Sequence, residues 1–178
     1  MELYEKIEAA IVSYLNQYVD GDLTTIPPNT NVPSTFYWPA SLQRPDKTYR
    51  IFSGESDSNK DGQAILVIAE DSEKVESPQY TGNFHVPVQI WLRTPIKTLT
   101  AKEKADLVNP SLTDHKAAAT VLEHAIMQDP FLLAGYFTQS GTALNVYAVM
   151  DRRPMRQETP NYWASGWSFR VYAMGRSG

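Results

Sequence analysis

The spacing of apolar residues along the chain predicts two amphipathic helices. In both segments apolar residues recur three and four positions apart, which places them on one face of a helix. The first helix is predicted from Glu2 to Tyr18, where Gly21 and its acidic neighbours end the pattern. The second helix is predicted from Thr113, a residue suited to the N-cap, to about Gln128. Its apolar face consists of Ala118, Val121, Leu122, Ala125 and Ile126.

Alternation of apolar and polar residues with a period of two predicts the strands. The segments KTYRIFSG (47–54) and QAILVIAE (63–70) flank a polar turn, and we expect them to pair as a hairpin. Residues 83–93 alternate most regularly. Pro87 in this segment cannot donate a ladder hydrogen bond, so we expect the strand to lie at a sheet edge or to be bulged there. A final pair of strands is predicted at 144–150 and 163–174.

The order of these elements is helix, three strands, helix and two strands, which predicts an α+β fold. We expect one mixed, mainly antiparallel sheet with the two main helices packed on one face. The chain has no internal repeat, so residues 1–178 are expected to form a single domain. Polar, turn-rich sequence predicts long loops at 24–45, 71–82 and 94–112. The last loop is Lys-rich, and we expect it to be mobile in the free protein and to become ordered in a partner contact.

The same alternation assigns strand residues to the two faces of the sheet. The face under the helices is predicted to carry Val88, Ile90, Val146, Ala148, Phe169 and Val171. The opposite face is predicted to carry Gln89, Trp91, Arg93, Asn145, Tyr147, Ser168, Arg170 and Tyr172. Trp, Tyr and Arg are enriched at protein interfaces, so this face is a candidate interface with another subunit or a partner. The candidate interface residues are Trp91, Arg93, Tyr147, Arg170 and Tyr172. The alternative is a half-exposed sheet face that tolerates aromatic residues.

Composition narrows the classes of function. The chain has 178 residues, 42% of them hydrophobic, which is enough for one core without disulfides or metal. The absence of cysteine excludes thiolate metal sites and cysteine nucleophiles. A net charge of -4 gives no general attraction to nucleic-acid phosphates. The first residues lack the pattern of a signal peptide, and no apolar run reaches the roughly 20 residues of a membrane helix, so we expect no membrane partner.

Two sequence motifs suggest chemistry but are incomplete. DSNKDG at 57–62 matches the first half of a calcium-binding loop. The twelfth position of such a loop should be a bidentate Glu and is Ile68 here, so we expect a plain turn. Ser140 and Ser165 lack the G-x-S-x-G motif of serine hydrolases, and no glycine-rich phosphate loop is present. We therefore expect no catalytic residue and no cofactor.

The three histidines do not form a metal-binding pattern. His115 and His124 are nine positions apart on the second predicted helix, which places them on opposite sides of it. His85 lies on a predicted strand. We expect all three to be solvated or to flank a helix, and we expect no metal site.

Two segments, together with the order of elements, carry a resemblance to a known family. They are HKAAATVLEHAIMQDPFLL, from His115, and LNVYAVMDRRPMRQETPNYWASGWSFRVYAM, from Leu144. They resemble the tail-terminator, or tail-completion, proteins of long-tailed bacteriophages. In that family a leading helix, a strand pair, a long loop, a second helix and a closing aromatic-rich strand build an α+β subunit. The Pro-rich segment 24–45 is longer than a minimal member of the family needs.

The resemblance implies a structural virion protein and not an enzyme. Its subunits would be assembled in the bacterial host cytoplasm into a hexameric ring at the tail–neck junction. The ring would cap the tail tube, stop its polymerisation and join the tail to the head. Implied partners are further copies of the chain, the tail tube protein, the head-side connector or neck protein and, in a contractile tail, the sheath. DNA would only pass through the lumen. Alternatives are another phage neck protein, such as a head-completion or connector-adaptor subunit, and a small hydrolase.

Overall fold

The structure is a computed structural model. It describes residues 3–18, 38–44, 49–54, 62–70, 73–74, 83–128, 146–158 and 161–174, which we call the described residues. The helices are α1 (Leu3–Tyr18), α2 (Ala101–Ala105) and α3 (Pro110–Glu123), and α3 continues as a π-helical turn, His124–Gln128. The strands are β1 (Ile51–Ser53), β2 (Ala64–Ala69), β3 (Glu73–Lys74), β4 (Asn83–Pro95), β5 (Val146–Glu158) and β6 (Tyr162–Met174).

The six strands form one mixed sheet in the order β1-β2-β4-β6-β5, with β3 paired to β4 beyond the end of β2. Only β1 and β2 are parallel, and all other neighbours are antiparallel. Helices α1 and α3 bury their apolar sides against the same face of this sheet. The predicted α+β fold, with its main helices on one face of a mainly antiparallel sheet, is therefore confirmed.

The core lies between the two helices and the sheet. Two buried hydrogen bonds connect aromatic side chains of the core to the backbone. Such bonds are needed because a buried Tyr hydroxyl or Trp indole N–H has no water to bond to. The Tyr14 hydroxyl of α1 donates to the carbonyl oxygen of Ala125 at 2.8 Å, and the Trp38 indole donates to the carbonyl oxygen of Leu15 at 2.9 Å. Part of the predicted loop 24–45 is thus packed on the core, where Ala40–Leu42 form a 3-10 turn. The core residues supplied by the sheet are Ile51, Ile65, Val67, Ala69, Val86, Val88, Ile90, Leu92, Trp167, Phe169 and Val171.

The predicted hairpin of the first two strands is wrong, because β1 and β2 run parallel. Alternation cannot distinguish these arrangements, since a strand buries the same residues beside either kind of neighbour. Here the carboxyl ends of both strands meet the same side chain of α1. Glu8 accepts hydrogen bonds from the Ser53 hydroxyl and, at 2.9 Å, from the Ala69 amide. The DSNKDG turn between the strands lies outside the described residues except for Gly62.

Of the two situations predicted for Pro87, a sheet edge or a bulge, the sheet edge is wrong. An irregularity does lie beside Pro87, where four residue steps from Ala69 to Glu73 face three from Val88 to His85. β4 lies in the middle of the sheet, and its pairing with β6 continues without a shift across Pro87. The carbonyl oxygen of Pro87 accepts from the Glu70 amide, so the missing N–H points to the side of β2 and β3. That side is interrupted between Ala69 and Glu73, where one strand ends and the next begins. Proline is therefore tolerated at this position although β4 is not an edge strand.

The other two predicted loops also contain regular structure. β3 lies within 71–82, and within 94–112 the strand β4 reaches Pro95 and α2 forms a short helix. α2 begins with a capping box, in which Thr100 and Glu103 exchange hydrogen bonds between side chain and backbone amide. The hydrogen bonds from Thr100 lower the pKa of the Glu103 carboxyl. No residue of α2 is buried, so this helix belongs to the surface.

α3 begins earlier than predicted. Its N-cap is Asn109, whose side-chain oxygen accepts from the Leu112 amide at 3.3 Å, and Pro110 is the first helical residue. Thr113 lies inside the helix, and its hydroxyl donates to the Asn109 carbonyl oxygen. The predicted apolar stripe is confirmed, and all five of its residues are buried.

The predicted phase of β5 is partly wrong, because two irregularities interrupt its pairing with β6. One register shift lies between Val146 and Ala148 and another between Met150 and Arg153. After the first shift Ala148 pairs with Tyr172, a position on the face away from the helices, instead of under them. β5 also extends beyond the predicted end at Met150 to Glu158, because an edge strand needs backbone pairing more than apolar side chains.

Candidate functional site

The face of the sheet turned away from α1 and α3, which we call the outer face, is the candidate site. Cross-strand partners share a face, so the β4–β6 register places Trp91, Arg93, Arg170 and Tyr172 together there. Arg170 is exposed, and the other three are half-buried. Tyr147 lies in β5 at the first register shift, and its side chain lies outside the described residues. Four of the five predicted interface residues thus share one surface.

Trp91 lies flat on the sheet and does not project from it. A Cβ atom built on Gly166, its cross-strand partner, would approach the indole atom Cε3 to 2.7 Å. The indole therefore fills the space that a side chain at Gly166 would occupy. Its Nε1 donates to the Gln89 side-chain oxygen at 3.0 Å. Trp91 thus contributes to the fold as well as to the surface.

Two further ring contacts hold the outer face in one arrangement. The Arg93 guanidinium lies 5.4 Å from the centre of the Tyr162 ring, a cation–π distance. The rings of His85 and Tyr172 stack with their centres 5.6 Å apart. Side chains fixed in this way lose less conformational entropy when a partner binds than free ones do. These contacts therefore limit the conformations of Arg93 and Tyr172 before any partner binds.

Arginine and lysine occupy different parts of the described chain. Arg44 and Arg50 flank the ring of Phe52, which pairs with Leu66 at an outer-face position. The arginines whose side chains are described all lie on this side: Arg44, Arg50, Arg93, Arg153 and Arg170. The lysines whose side chains are described lie on α1, on α3 or between 97 and 104. Arginine forms planar, two-pronged contacts with carboxylates and stacks on aromatic rings, so its use on one face indicates recognition more than solubility.

A buried polar network lies on the helix side of the sheet, and the sequence did not predict it. His115 of α3 is buried, contrary to the expectation that it is solvated. Its Nδ1 lies 2.7 Å from the Thr94 hydroxyl and its Nε2 lies 2.8 Å from the Ser165 hydroxyl. Gln63 donates to the Thr94 hydroxyl at 2.8 Å and accepts from Ser41 at 2.6 Å. One helical turn separates His115 from the buried Ser111, so the buried stripe of α3 is longer than its apolar part.

Pairing of a serine with a histidine raises the question of nucleophilic catalysis. The position of the third catalytic group is held by Thr94 and not by a carboxylate. Because Gln63 donates to Thr94, the Thr94 proton is free to be donated to Nδ1 of His115. In the tautomer that fits this donation, Nε2 carries the ring proton and donates to Ser165, which is the reverse of what activates a serine. This arrangement favours a structural role for the network.

We expect the burial of His115 to make the stability of the protein sensitive to acid. Burial lowers the pKa of His115 from 6.5 to about 4. In the unfolded chain the imidazole binds a proton below pH 6.5, whereas in the folded chain it stays neutral until about pH 4. The free energy of unfolding should therefore fall as the pH drops through this window, by an amount on the order of 3 kcal/mol. Urea denaturation at a series of pH values measures it.

The matched variants are His115→Gln and His124→Gln, both in the same helical segment. We expect His115→Gln to flatten the fall between pH 6.5 and 4 and His124→Gln to keep it. An unchanged pH profile in His115→Gln would show that other groups cause the acid sensitivity.

Other chemistry is sparse within the described residues. They contain no group of three or more His, Asp or Glu side chains placed to hold a metal ion. Within the same part of the chain, no helix combines the length and the apolar character needed to cross a membrane.

Two comparisons with known proteins find no relative. No protein-family model matches the sequence, and a search of curated proteins finds no match. The function must therefore be argued from the surfaces of this chain.

Proposed function

We propose that the protein is a structural subunit that assembles with copies of itself into a ring, and that this ring is the terminator of a bacteriophage tail. The observation that carries the proposal is the outer face of the sheet. Trp91, Arg93, Arg170 and Tyr172 lie there together, on the side away from the main helices. Trp, Tyr and Arg are the residues that most often carry binding energy at protein interfaces. We assign this face to the contact with the tail tube or the head-side connector.

The surface segment 94–112 supports self-assembly. The large hydrophobic residues that are exposed in the described part of the chain all lie in it: Ile96, Leu107 and Val108. Leu107 is 93% exposed, and its φ of +55° lies in the left-handed region that favours glycine. The Val108 amide donates to the Glu103 carbonyl oxygen, so Leu107 occupies the position after α2 where glycine usually stands. An exposed leucine in a strained conformation does not stabilise the single subunit. Contact with a second copy would bury its apolar side chain, and we infer that this is its role.

The choice of a tail terminator rests on the resemblance of the sequence to that family and on the order of elements. The chain has a leading helix, early strands, a long surface segment, a second helix and a closing pair of long strands. In the proposed virion, the ring subunits bind the tail tube protein on one side and the connector or neck protein on the other. An acidic chain of net charge -4 suits a lumen through which DNA must slide. The proposed role needs no catalysis and no cofactor.

Limited proteolysis tests the assembly. Lys97, Lys102 and Lys104 are exposed in the segment that we place between subunits. We expect trypsin to cleave after these residues in the free subunit, because a five-residue helix without buried residues opens easily. We expect the cleavage to be lost in the ring. Peptide mapping by mass spectrometry at several protein concentrations measures both states.

Lys116 is the internal control, because it is also exposed but lies within α3 and outside the proposed contact. Its cleavage should not depend on assembly. Equal cleavage of the segment in the free and assembled protein would contradict its place between subunits.

Two rival functions make different predictions. Another neck protein, such as a head-completion or connector-adaptor subunit, would share the ring and the lack of chemistry and would differ only in its partner. The observation that bears on a small hydrolase is the contact between Ser165 and His115, in which Thr94 takes the place of a catalytic carboxylate. Hydrolysis of activated esters that Ser165→Ala abolishes would support the hydrolase and contradict our proposal.

A further inference from the structure

The outer face contains a polar groove of about 620 Å³ in which two arginines lie close together. Gln89 and Ser168 are cross-strand partners, so the middle of β4 and β6 lies beneath the groove. Arg153 and Arg170 line its β5 and β6 side, and Glu70 lines it at the end of β2. The groove is distinct from the flat surface formed by Trp91 over Gly166, one row further along the sheet.

The second irregularity of β5 positions one of these arginines. β5 has three residue steps between Met150 and Arg153, against two between their partners Arg170 and Ser168 on β6. This extra residue brings Arg153 opposite Ser168, diagonally beside Arg170. Diagonal neighbours on a sheet have Cα atoms roughly 7 to 8 Å apart, which allows two guanidinium groups to reach the same ligand. The bulge therefore places Arg153, and not its neighbour Arg152, opposite Ser168 and diagonally beside Arg170.

The two arginines are not neutralised by the rest of the described chain. Both are exposed, and neither has a hydrogen bond or ion pair to any described residue. Glu70 directly follows β2, and the backbone there is separated from that of β6 by two strand spacings, roughly 10 Å. The oxygen of the Gln89 amide accepts from Trp91, which leaves its NH2 group to donate into the groove. The arginine side of the groove thus presents donors and positive charge.

We propose that this groove binds carboxylate groups of an acidic segment on a partner protein. Two guanidinium groups beside an amide donor are complementary to a pair of carboxylates. Each guanidinium can bind one carboxylate through two parallel hydrogen bonds. The inference rests on the proposed function only in naming the chemistry of the partner that docks on the outer face. The groove's binding of acidic peptide can be measured whether or not a ring forms.

Charge and ring contacts favour an acidic protein segment over nucleic acid. The chain has a net charge of -4, so a long polyanion that extends beyond the groove is repelled by the rest of the molecule. The neighbouring rings are also engaged, since Tyr162 faces Arg93 and Tyr172 stacks on His85. A short acidic segment contacts only the groove and is not repelled by the rest of the molecule.

Fluorescence anisotropy with the full chain tests the proposal. The probe is a fluorescein-labelled peptide with a run of glutamates between Gly-Ser flanks, and the control probe has glutamines in place of the glutamates. We expect the glutamate peptide to bind, with an affinity that falls with salt. The double variant Arg153→Gln with Arg170→Gln should weaken binding about tenfold or more. The matched control, Lys6→Gln with Lys116→Gln, removes the same charge from α1 and α3, outside the groove and the proposed subunit contact, and should leave the affinity unchanged.

Three results would overturn the proposal. They are the absence of binding by the glutamate peptide, equal weakening by the lysine pair, and tighter binding of duplex DNA than of the peptide at physiological salt. The mass of the protein, measured in the same buffer, separates this proposal from the ring. Peptide binding by a protein that stays monomeric would support the proposed groove and contradict the proposed ring. Ring formation without peptide binding would support the ring and contradict the groove.

Discussion

Replacement of Gly166 by alanine is expected to lower the free energy of unfolding by about 2 kcal/mol. A Cβ atom at this position would lie 2.7 Å from Cε3 of Trp91 and 2.9 Å from both Cδ2 and Cζ3. These are atoms of a rigid ring whose Nε1 is held by Gln89, so the indole cannot give way without losing that hydrogen bond and its packing. Urea denaturation followed by circular dichroism measures the effect.

Gly62→Ala is the matched control for this substitution. The nearest atom to a Cβ on Gly62 is Nε of Arg50 at 3.6 Å, an ordinary contact, so its stability should change little. Trp91→Leu should recover part of the loss in the Gly166→Ala background, because the smaller side chain makes room. Wild-type stability in Gly166→Ala would mean that Trp91 does not lie over the sheet.

Replacement of Leu107 by glycine is expected to have opposite effects on the fold and on assembly. Glycine relieves the left-handed strain, so the free energy of unfolding of the single subunit should rise by about 1 kcal/mol. Loss of the exposed side chain removes the apolar area that we place between subunits. Each contact should lose about 2 kcal/mol, roughly 30-fold in its association constant. Denaturation and sedimentation of the same variant measure the two effects.

Leu107→Ala separates these two causes. Alanine keeps the left-handed strain and removes most of the side chain, so it should weaken assembly as glycine does without stabilising the subunit. Normal assembly by both variants would exclude Leu107 from the subunit contact and leave its strained conformation without a role.

The sequence predicted the elements that depend on long apolar patterns. α1 and the stripe of α3 were predicted because a buried helix face repeats every three to four residues. β4 was predicted because a strand that buries one face alternates. The parallel pairing of β1 with β2, the central position of Pro87 and the phase of β5 were missed. Each depends on which strand lies beside which, and a single segment carries no information about its neighbours.

The candidate site shows the same division. The placement of Trp91 and Arg170 on the outer face followed from alternation alone. Alternation did not predict the groove, because Arg153 lies there only through a β-bulge. The residue pattern of β5 does not reveal this bulge. The burial of His115 was missed because a polar residue within a helix is usually solvated. It depends on hydrogen bonds to Thr94 and Ser165, which lie on strands far from α3 in the sequence. The cap at Asn109 could have been found, since Asn before Pro is a helix start.

The mass of the purified protein in solution tests the central claim most directly. Native mass spectrometry over a range of protein concentrations distinguishes a closed ring from a monomer or an open series of oligomers. A closed ring gives one dominant species, because each subunit contact is satisfied only when the ring is complete. We expect a hexamer of about 120 kDa, six times the 20.0 kDa of the single chain. A species of 20.0 kDa at every concentration, with no larger closed species, would contradict the account.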